Sequence, residues 1–158
     1  MKLQEISAEK FRLLDPSQRI ISHDHARRFA LLELDLPAAY GLSWRSDGIS
    51  PLLELSQNAQ RVWLGVDQQV AAINLLTGEV LLKLPFHSHI LNIVFGQNVT
   101  IVVTDIDFSV FNEDLSLRLI ADIPDIPGMV AIDKGIFTVE LLNGSTQSWD
   151  INEGKNLD

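Results

Sequence analysis

The sequence predicts an all-β protein, an array of three antiparallel units preceded by a degenerate hairpin and one short helix. Three observations carry that expectation. One stretch can be laid on itself at an offset of 38 residues, a period found in arrays of small supersecondary units. Apolar residues rich in Val, Ile and Leu come in short runs between turn residues, the pattern of strands. Helical periodicity nearly vanishes after residue 16.

The repeat is visible at four phases. Ile73, Phe111 and Trp149 share one, followed by Asn74, Asn112 and Asp150. Asp67, Asp105 and Asn143 share a third, where each apolar run breaks, and Trp63, Ile101 and Val139 share a fourth inside the preceding run. In the first unit strands are expected at Pro51 to Leu55, Arg61 to Val66, Gln69 to Asn74 and Val80 to Leu84. The second unit gives Ile90 to Phe95, Val99 to Thr104, Phe108 to Phe111 and Ser116 to Ile120. The third gives Gly128 to Ile132, Ile136 to Leu141 and Thr146 to Asp150. Thr77-Gly78, Gly96-Gln97-Asn98, Lys134-Gly135 and Asn143-Gly144 put Gly or Asn where tight hairpins demand positive φ.

Ahead of the repeats, Ser7 to Leu14 is the one candidate helix, with Ser7 as N-cap and Asp15-Pro16 as its stop. Residues 17–48 offer a degenerate unit, with Gln18 to Ser22 and Phe29 to Leu36 as a hairpin around His23-Asp24-His25. The expected organisation is a single domain, with residues 1–48 as cap or degenerate unit, followed by units at 49–88, 89–126 and 127–158.

Val70-Ala71-Ala72-Ile73-Asn74-Leu75-Leu76-Thr77-Gly78-Glu79-Val80-Leu81 resembles the third-to-fourth strand hairpin of a β-propeller blade of the quinoprotein or WD-repeat kind. Ser148-Trp149-Asp150-Ile151-Asn152-Glu153-Gly154-Lys155 is similar to the end of a WD repeat, where Trp-Asp precedes a turn. The resemblance covers residues 50–155 and implies a propeller-like array, a partial propeller with three clear blades. It implies architecture rather than chemistry, and no cofactor is expected.

Composition narrows the function. The 158 residues include no Cys, which excludes disulfides, thiolate zinc sites and a cysteine nucleophile. No apolar run is long enough to span a membrane, Met1 to Ile20 lacks the pattern of a secretory signal, and a cytoplasmic location is expected. A formal charge of −9 is the wrong sign for wrapping nucleic acid. Catalytic motifs are missing: there is no nucleophile elbow, phosphate-cradling glycine loop or dinucleotide fingerprint. Asp105, Asp122, Asp125 and Asp133 could be paired as glycosidase carboxylates, but any acidic β protein offers such pairs, so no enzyme is expected.

Two His-x-His pairs, His23 with His25 and His87 with His89, place imidazoles on one side of a strand, yet they read as hairpin and linker residues, and no metal is expected. Asp105-Ile106-Asp107 lacks the glycine and terminal Glu of a calcium loop and reads as a turn.

Charge placement points to a partner. From residue 84 onward three basic residues face eleven acidic ones, whereas residues 1–83 carry nine and ten. Asp105, Asp107, Glu113, Asp114, Asp122 and Asp125 are therefore the expected contacts for a basic protein, with a nuclease toxin as one example. Tyr40, Trp44 and Arg45, in the loop-like stretch Pro37 to Gly48, are the candidate anchors, being residue types enriched at binding hot spots, with a structural role under the first unit as the open alternative. In kind, rather than by motif, such a protein resembles the immunity proteins that neutralise bacterial nuclease toxins. The alternative is a self-assembling module whose open blades pair with a second copy as a homodimer. Neither reading involves membrane or direct nucleic-acid contact.

Overall fold

A computed structural model describes residues 1–35 and 38–158. Leu36, the expected end of a hairpin strand, and Pro37, the expected start of a binding loop, lie outside the described residues. Among the described residues the chain is built from strands and one short helix, and it divides into two compact units, Met1–His87 and Ser88–Asp158.

The first unit begins with β1 (Lys2–Glu5), α1 (Ala8–Arg12), a 3-10 turn (Pro16–Gln18), β2 (Arg19–Ile21), β3 (Arg28–Glu33) and β4 (Ala39–Trp44). Ser7 caps α1 as expected, its Oγ accepting from the Lys10 amide at 3.1 Å. Asp15 then caps the 3-10 turn that Pro16 starts. These strands form a sheet in the order β1-β3-β4-β2. The expected hairpin of Gln18 to Ser22 with Phe29 to Leu36 does not form: β3 pairs antiparallel with β1 and β4, and β2 runs parallel to β4. The reason is burial. Ile20 and Ile21 are consecutive and both inaccessible, so β2 must be covered on both faces, and it reaches β7 and β8 of the next sheet instead of folding back on β3.

The second sheet of this unit is a meander, β5 (Leu52–Leu55), β6 (Arg61–Val66), β7 (Gln69–Asn74) and β8 (Val80–Pro85), matching the expected strands closely. The core of the unit is mainly aliphatic, with Ile21, Leu32, Leu42, Leu64 and Ile73 at its centre.

The second unit holds two further meanders. The first is β9 (Ile90–Gly96), β10 (Val99–Thr104), β11 (Asp107–Asn112) and β12 (Leu117–Asp122). Its central pairing copies that of the preceding meander at the 38-residue offset, with Val62 opposite Ile73 and Thr100 opposite Phe111. The last meander is β13 (Pro127–Asp133), β14 (Ile136–Leu141), β15 (Thr146–Asp150) and the short β16 (Lys155–Asn156), a strand absent from the sequence reading. Here the register slips by one, so that Trp149 faces Phe137 rather than Thr138. Ile73, Phe111 and Trp149 nevertheless all lie buried on the third strand of their sheets. The core of this unit sets a cluster of three aromatic rings among aliphatic side chains: the Phe108 ring lies 4.6 Å from Phe137 and 4.9 Å from Trp149, centroid to centroid.

Tight turns account for the positive φ angles. Gly78, Asn98, Lys134, Gly135 and Gly144 all adopt them, at the hairpin positions that the sequence marks.

Candidate functional site

In the second unit the β10–β11 turn is a compact knot of side-chain hydrogen bonds. Thr104 Oγ1 accepts the amides of Ile106 at 3.2 Å and Asp107 at 3.0 Å and donates to the Asp107 carboxylate at 2.7 Å. Ser88 donates its hydroxyl to Asp105, tying the start of β9 to this turn. At Asp67, one repeat earlier, the carboxylate accepts the Arg45 amide at 2.7 Å. The shared phase of Asp67 and Asp105 is thus a fastening between a turn and the segment leading into its sheet.

Antiparallel geometry brings more acid to this end. Asp122, the last residue of β12, stands opposite Asp107, and the chain runs from Asp122 through Asp125, whose carboxylate accepts the Ile126 amide at 2.8 Å, into β13. Like charges directly opposite one another are unfavourable. Among the described residues none of Asp105, Asp107, Asp122 and Asp125 enters an ion pair. Apolar side chains in the turns and links of this unit also face water: Ile106 is 51% exposed, Ile126 49% and Leu142 69%. Backbone bonds join them to the same framework, with Ile123 donating to the Ile106 carbonyl at 2.8 Å and Leu142 to the Ile126 carbonyl at 3.0 Å. Isolated exposed apolar residues are ordinary; here three of them follow one another along the turns that also carry these carboxylates.

Not all the expected contacts belong to this end. Glu113 and Asp114 lie in the β11–β12 turn, at the opposite end of the sheet. Asp114 accepts the Ser116 amide at 3.0 Å as well as the Ser116 hydroxyl, and these bonds hold its pKa below the usual aspartate value of 3.8. Asp133 closes the far end of β13 and is likewise remote from Asp122.

Tyr40 and Trp44 require correction. They are not loop anchors but members of β4, both buried in the core of the first unit. The Tyr40 hydroxyl donates to the Gly78 carbonyl, and burial raises its pKa above the ordinary phenol value of 10.0. Trp44 Nε1 donates to the Ile49 carbonyl at 2.9 Å. Only Arg45 of the three is exposed. β4 escaped the sequence reading because Ala39, Gly41 and Ser43 dilute its β propensity. Gly41 has a packing reason: a Cβ there would lie 2.5 Å from Leu14 Cδ1 and 2.8 Å from Phe11 Cε2, where α1 presses on the strand.

His23 and His25 sit in the bend before β3 with ring centroids 6.3 Å apart, and the His25 amide donates to His23 Nδ1 at 3.1 Å. Among the described residues no group of three or more His, Asp or Glu side chains is placed to hold a metal. A cavity of about 320 Å³ in the first unit is lined by Gln18, Ala39, Tyr40, Gly78 and Val80, and its polar groups bond to each other: Gln18 Nε2 donates to the Ala39 carbonyl at 3.4 Å, and Tyr40 to Gly78. Among the described residues no helix is long and apolar enough to cross a membrane.

The residues missed by sequence reasoning are Ile106, Ile126 and Leu142. Their signal was present, since each is a large apolar residue at a chain reversal, where polar residues are the rule.

No protein-family model matches the chain, and no curated protein matches it. Among solved structures it is similar to the computationally designed Ika4 protein, with a TM-score of 0.60 and 19% identity over 71% of this chain and 74% of that one. It is similar to the designed Ika8 protein, with a TM-score of 0.62 and 17% identity over 87% of this chain and 46% of that one. HIRA(644-1017) gives a TM-score of 0.54 and 14% identity over 68% of this chain and 40% of that one. The chain therefore spans less than half the length of Ika8 and of the HIRA segment. These likenesses show the fold, which is a propeller-like all-β repeat array.

Proposed function

We propose that the protein is a non-catalytic binding module that docks a basic protein partner on the acidic end of its second unit. The observation that carries this reading is the grouping of exposed Ile106, Ile126 and Leu142 with the unpaired carboxylates of Asp105, Asp107, Asp122 and Asp125. A field of one sign speeds encounter with a positive partner, and the apolar side chains supply contact that charge alone cannot. A cytoplasmic inhibitor of a basic enzyme, working as an immunity protein does on a nuclease, fits this description. Carboxylates can occupy the positions that such an enzyme keeps for phosphates. Within the propeller-like class we read the blades as the WD-repeat kind, supported by Trp149-Asp150 before the last turn and by the repeated fastening at Asp67 and Asp105.

The test is affinity capture from the native lysate at low salt, followed by direct binding of the purified candidate. The parent and a Glu79→Lys control from the first unit should both bind. The Asp107→Lys/Asp122→Lys variant should not, and equal binding by all three removes the acidic end from the account.

A second reading has one observation in its favour: most of this chain matches less than half of Ika8, so two copies together could supply what a longer array holds in one chain. Light scattering decides it, because a dimer that persists at high salt supports self-assembly and a monomer removes it.

A further inference from the structure

The β14–β15 turn, Leu142-Asn143-Gly144-Ser145, carries a second kind of chemistry. Every other asparagine in the chain precedes a residue with a side chain; Asn143 alone precedes glycine. Both residues are exposed, and Gly144, at φ +84°, has nothing within 4 Å of where a Cβ would stand. The Asn143 side-chain carbonyl is held by two donors, the Ser145 amide at 2.8 Å and the Ser145 hydroxyl at 2.7 Å. Two donors on a carbonyl oxygen make its carbon more electrophilic and stabilise an oxyanion formed there. Among the described residues no hydrogen bond retains the amide nitrogen Nδ2, the group that would leave.

We propose that Asn143 is a site of spontaneous deamidation, with Ser145 positioning and polarising its side-chain carbonyl. The Gly144 amide first leaves the Leu141 carbonyl, to which it donates at 2.9 Å, as the turn opens. It loses its proton to solvent base and attacks Asn143 Cγ. The new N–Cγ bond places negative charge on Oδ1, where Ser145 donates. Collapse breaks the Cγ–Nδ2 bond, Nδ2 departs as ammonia with a proton from solvent, and a cyclic imide remains. Water then opens the imide at either carbonyl, giving aspartate or, when the main-chain carbonyl is attacked, isoaspartate. The overall change is asparagine plus water to acid plus ammonia, and it takes the formal charge from −9 to one unit more negative. The new carboxylate stands beside Leu142, and the isoaspartate form also lengthens the turn by a main-chain methylene.

This inference rests on the turn's own chemistry and not on the docking reading. The test is to incubate the folded full-length chain in mildly alkaline buffer and map its peptides over time for the mass gain of an amide-to-acid conversion, with isoaspartate-specific methylation as a second readout. Asn143 should convert at least about tenfold faster than Asn74, Asn98 or Asn112, a difference in barrier of roughly 1.4 kcal/mol. Ser145→Ala, which removes the hydroxyl donor and keeps the amide, should slow conversion several-fold while leaving the circular-dichroism spectrum unchanged. Conversion at Asn143 no faster than at the other asparagines overturns the site, and an unchanged rate in Ser145→Ala overturns the role of Ser145.

Discussion

The two units carry their charge differently. In the first, nine basic and ten acidic residues nearly cancel, and carboxylates find cations: Arg28 pairs with Glu5, Arg27 with Asp47 at 3.3 Å, and the N-terminus with Asp35 at 2.8 Å. In the second, eleven acidic residues face three basic ones, and Arg118 bonds to the neutral amides of Asn112 at 2.6 Å and Asn152 at 3.3 Å. Asp105, Asp107 and Asp125 there are satisfied by hydroxyls and an amide, which build turns but leave their charge uncancelled. One unit nearly balances its charge, and the other carries an excess of one sign. The difference turns a net charge, which by itself bears only on solubility, into a located surface.

The cores should give the largest effects. Phe108→Ala removes a ring with no exposed surface from the aromatic cluster of the second unit and should cost about 3–5 kcal/mol in urea unfolding. Trp44→Ala should cost the first unit a similar amount, whereas its neighbour Arg45→Ala should stay within about 0.5 kcal/mol. A small effect of Trp44→Ala would return that residue to the surface.

Neutralising a carboxylate should have opposite signs in the two units. Glu5→Gln breaks an exposed pair with Arg28 and should destabilise by up to about 1 kcal/mol. Asp122→Asn relieves the opposition to Asp107 and should stabilise by about 0.2–1 kcal/mol at low salt, a gain that fades as salt rises. Loss of stability in Asp122→Asn would mean that the carboxylate has a cation partner after all.

At the small end the two units should agree. Asp15 and Asp114 are both held below the ordinary value of 3.8 by bonds from a serine two residues on, Ser17 and Ser116. A lowered folded-state pKa contributes stability that is present above pH 3.8 and is lost as pH falls through the lowered value. Carboxyl NMR titration should show both shifts, and Ser116→Ala should return Asp114 toward 3.8 while Asp15 stays put.

Where the 38-residue period runs, strand bounds were legible almost to the residue, because alternation and turn chemistry agree, as in β6, β7, β10 and β14. The first sheet has no such agreement. β1 is four residues with two charges, β2 is three residues paired in parallel, and β4 is diluted by small residues, so tertiary packing rather than local pattern decides all three. The site was half legible for a related reason. Counting acids along the chain points to the second unit, but only the antiparallel register reveals that Asp105, Asp107 and Asp122 share an end from which Glu113 and Asp114 are excluded.

The most direct measurement is the association rate with the captured basic partner across a salt series. The parent and Glu79→Lys should associate fast at low salt and slow steeply as salt rises. Asp107→Lys/Asp122→Lys should associate at least about tenfold more slowly at low salt, with a flattened salt dependence and a smaller change in dissociation. Equal rates for all three proteins at low salt would contradict the account, since the acid of the second unit would then be ordinary solvated charge.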